Sequence, residues 1–123
     1  LGPRLSRSWG VFHGADDLAE RAPGRPPEPG GAALPAEAVA RADALVIPAL
    51  AVDRGGRRLG QGGGWYDRML PLRRDGVRVF AMVYDDELVP GPLPTQTHDE
   101  TVDAVITSDA WFLLKGSAFA SGR

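Results

Sequence analysis

Six of the ten residues from Gly55 to Gly64 are glycine, and Arg57, Arg58 and Arg68 stand in or beside that run. Glycine lets backbone N–H groups crowd round an anion and tolerates positive φ. Guanidinium groups pair with phosphate oxygens through charge-assisted hydrogen bonds. These residue types suit a loop that holds phosphate, with the positive end of a helix starting near Trp65 adding to it. No Gly-Lys-Ser/Thr follows, so the pattern is not a Walker loop, and the spaced dinucleotide fingerprint is also missing. A flexible surface loop is the plainer alternative, and the glycines by themselves leave it open.

Two aspartates extend the chemistry. Asp67 follows the glycine run, on the first turn of the expected helix, and Asp99 lies in the segment QTHDETVD. A hard divalent cation beside phosphates needs few carboxylates, because phosphate oxygens and water complete its shell. Asp67 is equally suited to be an ordinary partner of a helix start, and Asp99 to cap a turn. His13 and His98 are the only histidines, and neither is assigned a role. Trp65 and Tyr66 offer flat faces for a ring to stack on, or else they staple the helix to the sheet.

These residues must be positioned by the elements around them. The apolar run Ala44–Val52 reads as a strand buried on both faces, ending or bulging at Pro48. The run from Val77 to Tyr84 is rich in β-branched and aromatic residues and reads as a second strand. Between them come the glycine loop and WYDRMLPLRR, a short helix stopped or kinked by Pro71. Strand, loop, helix and strand make a βαβ unit. A third strand is expected over Val102–Ser108, DDELVP is a short turn or helix, and LPAEAVARADA is a short helix. LSRSWGVF has room for a short strand. Residues 20–35 form a Pro/Gly-rich loop, and residues 115–123 a flexible tail, with Trp111 to Leu114 free to pack on the sheet. No internal repeat is visible.

Charge is unevenly spread. Seven arginines and three aspartates fall between Asp53 and Arg78, whereas Asp85 to Asp109 holds seven acidic residues and no lysine or arginine. The two blocks could build one site for an anion and a cation, or form two solvated surfaces of opposite sign. Over the whole chain the balance is 14 basic against 16 acidic residues, which argues against a dedicated nucleic-acid binder. The absence of cysteine excludes disulfides, zinc–cysteine sites and thiol catalysis. No apolar run approaches the ~20 residues that span a bilayer, and no signal-type stretch follows Leu1, so a cytoplasmic protein is expected. At 123 residues the chain is expected to be one small domain.

The stretch VIPALAVDRGGRRLGQGGGWYDRML resembles the signature of the 5-formyltetrahydrofolate cyclo-ligase (5,10-methenyltetrahydrofolate synthetase) family. That signature runs roughly Pro-Gly-Leu-Ala-Phe-Asp, a variable turn, then RLGYGGGYYDR. THDETVDAVIT resembles the family's second block, and RPPEP with Trp9 upstream resembles its Glu-Pro region, so the likeness runs from Trp9 to Thr107. The resemblance implies an α/β fold of the sugar-isomerase/CoA-transferase type, with a mainly parallel sheet flanked by helices. It implies ATP- and magnesium-dependent closure of 5-formyltetrahydrofolate to 5,10-methenyltetrahydrofolate, by phosphorylation of the formyl oxygen and attack of the neighbouring nitrogen. Carried over residue by residue, Arg58, Leu59, Gly60, Gln61, Gly62, Gly63, Gly64, Trp65 and Tyr66 would bind ATP. Gln61 to Trp65 would also border the folate, and Asp67 and Asp99 would hold magnesium. Gln61 and Trp65 stand where the family has tyrosine, and Ala49 and Val52 where it has glycine and phenylalanine. Family members open with a basic helix and a folate-contacting glutamate that have no counterpart here; Glu28 belongs to the later Glu-Pro block. The chain therefore resembles the C-terminal half or somewhat more of a member. A nucleotide-binding pseudoenzyme and an inactive fragment of the fold are the alternatives to an enzyme.

Overall fold

The computed structural model describes residues 8–21, 23–24, 26–60, 64–94 and 100–114. The apolar run from Ala44 divides at Pro48, as the missing proline N–H demands. β1 (Ala44–Pro48) lies in one sheet and β2 (Ala51–Asp53) in another. The first sheet is completed by β4 (Arg78–Met82), β6 (Ala104–Ile106) and β7 (Trp111–Leu113), in the order β1-β4-β6-β7. β1 pairs parallel to β4 with Leu45 opposite Val79 and Ile47 opposite Ala81, and β4 pairs parallel to β6. β7 closes the row antiparallel to β6. The smaller sheet has the order β3-β2-β5, with β3 at Arg58–Leu59 antiparallel and β5 at Leu88–Val89 parallel to β2.

The helix expected after the glycine run is α1 (Trp65–Met69), five residues long, and a 3-10 turn at Leu70–Leu72 carries Pro71. The alanine-rich segment also winds into a 3-10 turn, Ala36–Arg41, with Val39 as its buried residue. The flanking layer is thus thinner than the sequence suggests: among the described residues it consists of α1 and short 3-10 turns. Met69, Leu70 and Val39 pack with Leu45, Ile47, Val79, Ala81 and Val105 of the larger sheet in one cluster.

Three expectations are corrected. β1 is buried on one face only: Leu45 and Ile47 point into the core, while Val46 is 55% exposed. An apolar run reports strand propensity and apolar area, and says nothing of what covers the second face. The segment DDELVP is not only a turn, because after the 3-10 turn Asp85–Glu87 it continues into β5. Two residues are too few for an alternation to register. Trp111 to Leu113 do not merely rest on the sheet but extend it as edge strand β7. LSRSWGVF yields a single bridge from Trp9 to Leu34 among the described residues. No described helix is long and apolar enough to cross a membrane.

Candidate functional site

The site grows from the hairpin that joins β2 to β3. Asp53 ends β2 with no solvent exposure. Its Oδ1 accepts the backbone N–H groups of Gly55 and Arg57, both at 2.9 Å. Its Oδ2 accepts Arg57 Nε at 2.6 Å and the N–H of Leu93 at 2.8 Å. Burial alone pushes this carboxyl up, but the N–H donors of Leu93, Arg57 and Gly55, together with the Arg57 guanidinium, outweigh it and hold the group below its ordinary value. One carboxylate thereby fixes the turn and ties it to the segment at 91–94. Gly91 makes that tie possible: its φ is +74°, and a Cβ there would lie 2.5 Å from Asp53 Cβ. The turn is also pinned to the chain entering β6, where the N–H of Val102 donates to the Gly56 carbonyl at 2.9 Å.

β3 then delivers Arg58 into the interior, its side chain only 5% exposed. Arg58 Nη2 donates to Asp67 Oδ1 at 3.1 Å, and the guanidinium carbon lies 5.6 Å from the Tyr66 ring centroid. Arg58 Nε is buried with no hydrogen-bond partner among the described residues. Asp67, 19% exposed, sits on α1 and accepts a second donor on the same oxygen, the N–H of Glu100 at 3.0 Å. The Glu100 carboxylate in turn receives Arg73 Nη1 at 3.1 Å. One ion pair joins the two charged blocks of the sequence here, Arg73 of the basic block with Glu100 of the acidic one.

Of the residues expected to bind nucleotide, Arg58 and Leu59 form β3, Gly60 follows, and Gly64 leads into α1 in the left-handed region (φ +66°), a conformation that favours glycine. Trp65 and Tyr66 open α1. Gln61, Gly62, Gly63, His98 and Asp99 lie outside the described residues. Trp65 stands 5.5 Å from Trp9 and 5.0 Å from Tyr66, ring centre to ring centre, and packs against the core. These contacts suit the staple role of the pair. His13 is exposed and remote in sequence from these residues.

The donor set fits a phosphate and a hard cation. An orphaned, buried guanidinium N–H is an unmet demand for an anion. Asp67 supplies a carboxylate beside it, and no described group of three or more His, Cys, Asp or Glu side chains could hold a metal by itself. A cation at Asp67 would therefore take its other ligands from phosphate oxygens and water, as magnesium commonly does. A separate groove of about 320 Å³, lined by Trp9, Val11, Leu34, Val39 and Leu45, is almost wholly apolar and belongs to none of this chemistry. Reading the residues missed Asp53 and the backbone of Glu100 and Leu93. Asp53 did carry a signal, since an aspartate closing an apolar run before Arg-Gly-Gly favours a turn built on its own carboxylate.

Fold and site together define an α/β protein in which a buried arginine on β3 pairs with a carboxylate on α1. The family model of the 5-formyltetrahydrofolate cyclo-ligases matches residues 5–108. The chain belongs to that family. It is 42% identical over 107 residues to the 5-formyltetrahydrofolate cyclo-ligase of Mycolicibacterium smegmatis, an alignment covering 86% of this chain and 53% of that protein. It is 37% identical over 75 residues to the Escherichia coli K12 cyclo-ligase, covering 59% and 41% respectively. The mitochondrial cyclo-ligase of Arabidopsis thaliana is 35% identical over 74 residues, covering 53% and 27%. The chain thus spans about half the length, or less, of these curated relatives.

Proposed function

We propose that this chain carries the nucleotide- and cation-holding part of an ATP- and magnesium-dependent cyclisation of 5-formyltetrahydrofolate to 5,10-methenyltetrahydrofolate. The observation that carries the reading is Arg58: a buried guanidinium with an unmet N–H, at the root of the Arg58–Tyr66 loop and against Asp67. Phosphoryl transfer asks a protein mainly for positioning and charge neutralisation. Arg58 would meet phosphate oxygens, with the glycines from Gly60 to Gly64 letting the backbone approach. Asp67, with Asp99, would hold the cation, which neutralises phosphate charge when bound. Gln61 to Trp65 would border the folate, and Asp53 keeps the β2–β3 hairpin in shape.

A second reading has its own support. The larger sheet leaves Val46, Met82 and Trp111 more than half exposed. Under that reading the loop binds nucleotide without turnover. The deciding experiment incubates the purified chain with ATP, magnesium and 5-formyltetrahydrofolate and follows 5,10-methenyltetrahydrofolate by absorbance, with ATP binding measured separately by calorimetry. Product formation supports the enzyme. Binding without product supports the second reading, and neither signal removes both.

A further inference from the structure

Resting on the reading of Asp67 as a cation ligand, we propose that Arg58 is a latch on it: in the nucleotide-free protein Arg58 occupies the carboxylate, and cation binding waits until an anion draws the guanidinium away. Asp67 Oδ1 already accepts both Arg58 Nη2 at 3.1 Å and Glu100 N–H at 3.0 Å. Arg58 is its cationic partner and is shielded from water, so their attraction is little screened. A divalent cation arriving alone would lose that attraction and sit beside a buried like charge. The pairing also leaves the guanidinium half-served. Asp67 engages one of five donors, and Nε is buried with no partner among the described residues. A phosphate, with several acceptor oxygens, can take the Nε and Nη2 edge together, as a fork-shaped donor prefers. The backbone makes room for this group: a Cβ on Gly60 would stand 2.9 Å from Arg58 Nη1. Phosphate and cation thus compete with each other's protein partner for release, so each opens the place of the other. By linkage the coupling is reciprocal.

The test uses the intact chain and binding alone. Mn2+ is titrated without nucleotide and followed by the paramagnetic resonance of the free ion, and ATP is titrated with chelator present, by calorimetry. Arg58→Met should bind Mn2+ at least tenfold more tightly than the unaltered chain. Arg54→Met, an equal loss of charge at an exposed neighbour, should gain far less. Asp67→Asn should bind metal-free ATP at least fivefold more tightly, beyond the gain of the exposed control Asp75→Asn, while losing the further gain from magnesium. The Asp67→Asn measurement stands by itself if Arg58→Met fails to fold. Equal gains in Arg58→Met and Arg54→Met overturn the latch, as do equal ATP gains in Asp67→Asn and Asp75→Asn. If Asp67→Asn added to Arg58→Met leaves Mn2+ binding unchanged, Asp67 holds no cation, and the reading beneath the latch falls instead.

Discussion

The backbone N–H of Glu100 donates to Asp67 Oδ1 at 3.0 Å, joining positions 33 residues apart in the chain. In a parallel α/β sheet the loop preceding a strand ordinarily lies at the end opposite the loop that follows one. Here the segment entering β6 nonetheless reaches the start of α1, and it is held there twice. Val102 N–H binds the Gly56 carbonyl, and Arg73 binds the Glu100 carboxylate.

Asp99 precedes Glu100 in the sequence, and this contact motivates the first prediction. Asp67→Asn and Asp99→Asn should each weaken magnesium-dependent ATP binding about tenfold, or ~1.4 kcal/mol. Groups that share a ligand couple, so the double variant should lose less than the sum by ~0.5 kcal/mol or more. Calorimetry on the four proteins of the cycle measures this. Strictly additive losses would take Asp99 out of the site.

Asp53 predicts a stability effect without any ligand. Asp53→Ala removes the acceptor of four donors and leaves the N–H groups of Gly55, Arg57 and Leu93 unpaired. Stranded buried donors cost roughly 1–3 kcal/mol each at most, and relaxation lowers the sum, so a loss of about 2–4 kcal/mol in urea denaturation is expected. A change below about 0.5 kcal/mol would mean that the turn holds itself.

The same residue sets a pH dependence. Its carboxyl in the folded chain lies below the ordinary value of 3.8. The unfolded chain therefore binds the proton more readily, and the stabilisation is fully present above the unfolded value and lost as pH falls through the folded one. Melting temperature should drop as pH falls below about 4, and Asp53→Asn should flatten that drop. Parallel acid profiles for the two proteins would assign the loss to other carboxylates.

Gly91 and Gly76 separate close approach from backbone strain. Both have positive φ, at +74° and +83°, but a Cβ on Gly91 would strike Asp53, while none of the atoms round Gly76 comes within 4 Å. Gly76→Ala should cost only the strain of its conformation, about 1 kcal/mol. Gly91→Ala should cost clearly more, because it also displaces Asp53 and with it the turn. Equal losses in thermal melts would show that Asp53 yields freely.

What the residues disclosed in advance follows from the range of the signals. β1, β4 and α1 are announced locally, by an apolar run broken at Pro48, a β-branched run and a short helix ended at Pro71. Arg58 and Asp67 stand out as candidates for the same reason, since their residue types suit an anion and a cation, and the structure sets the two side by side. β5 and β7 are invisible because two or three residues acquire strand geometry only from their partners, β2 and β6. The Asp67–Glu100 contact is a backbone donor meeting a distant side chain, and neither residue type advertises it. The open side of β1 was missed because apolar content does not reveal whether a covering layer is present.

That open side gives the last prediction. Val46 lies opposite Phe80 in register, Met82 follows two residues on, and Trp111 meets the Phe80 ring edge-on at 5.7 Å. Val46 is 55%, Met82 56% and Trp111 58% exposed, so one face of the larger sheet presents adjoining apolar side chains to water. Single exposed apolar residues are ordinary on a protein surface, but contiguous patches of a few hundred Å² mark association. The purified chain should therefore self-associate with rising concentration in sedimentation velocity. Val46→Thr with Met82→Thr keeps strand propensity and removes apolar area from the face without touching the core. The double variant should sediment as a monomer and melt within about 0.5 kcal/mol of the original. If the unaltered chain is monomeric at every concentration tested, the face is too small to drive association. If the variant associates as strongly as the original, the contact lies elsewhere, with the edge of β1, unpaired among the described residues, the next surface to test.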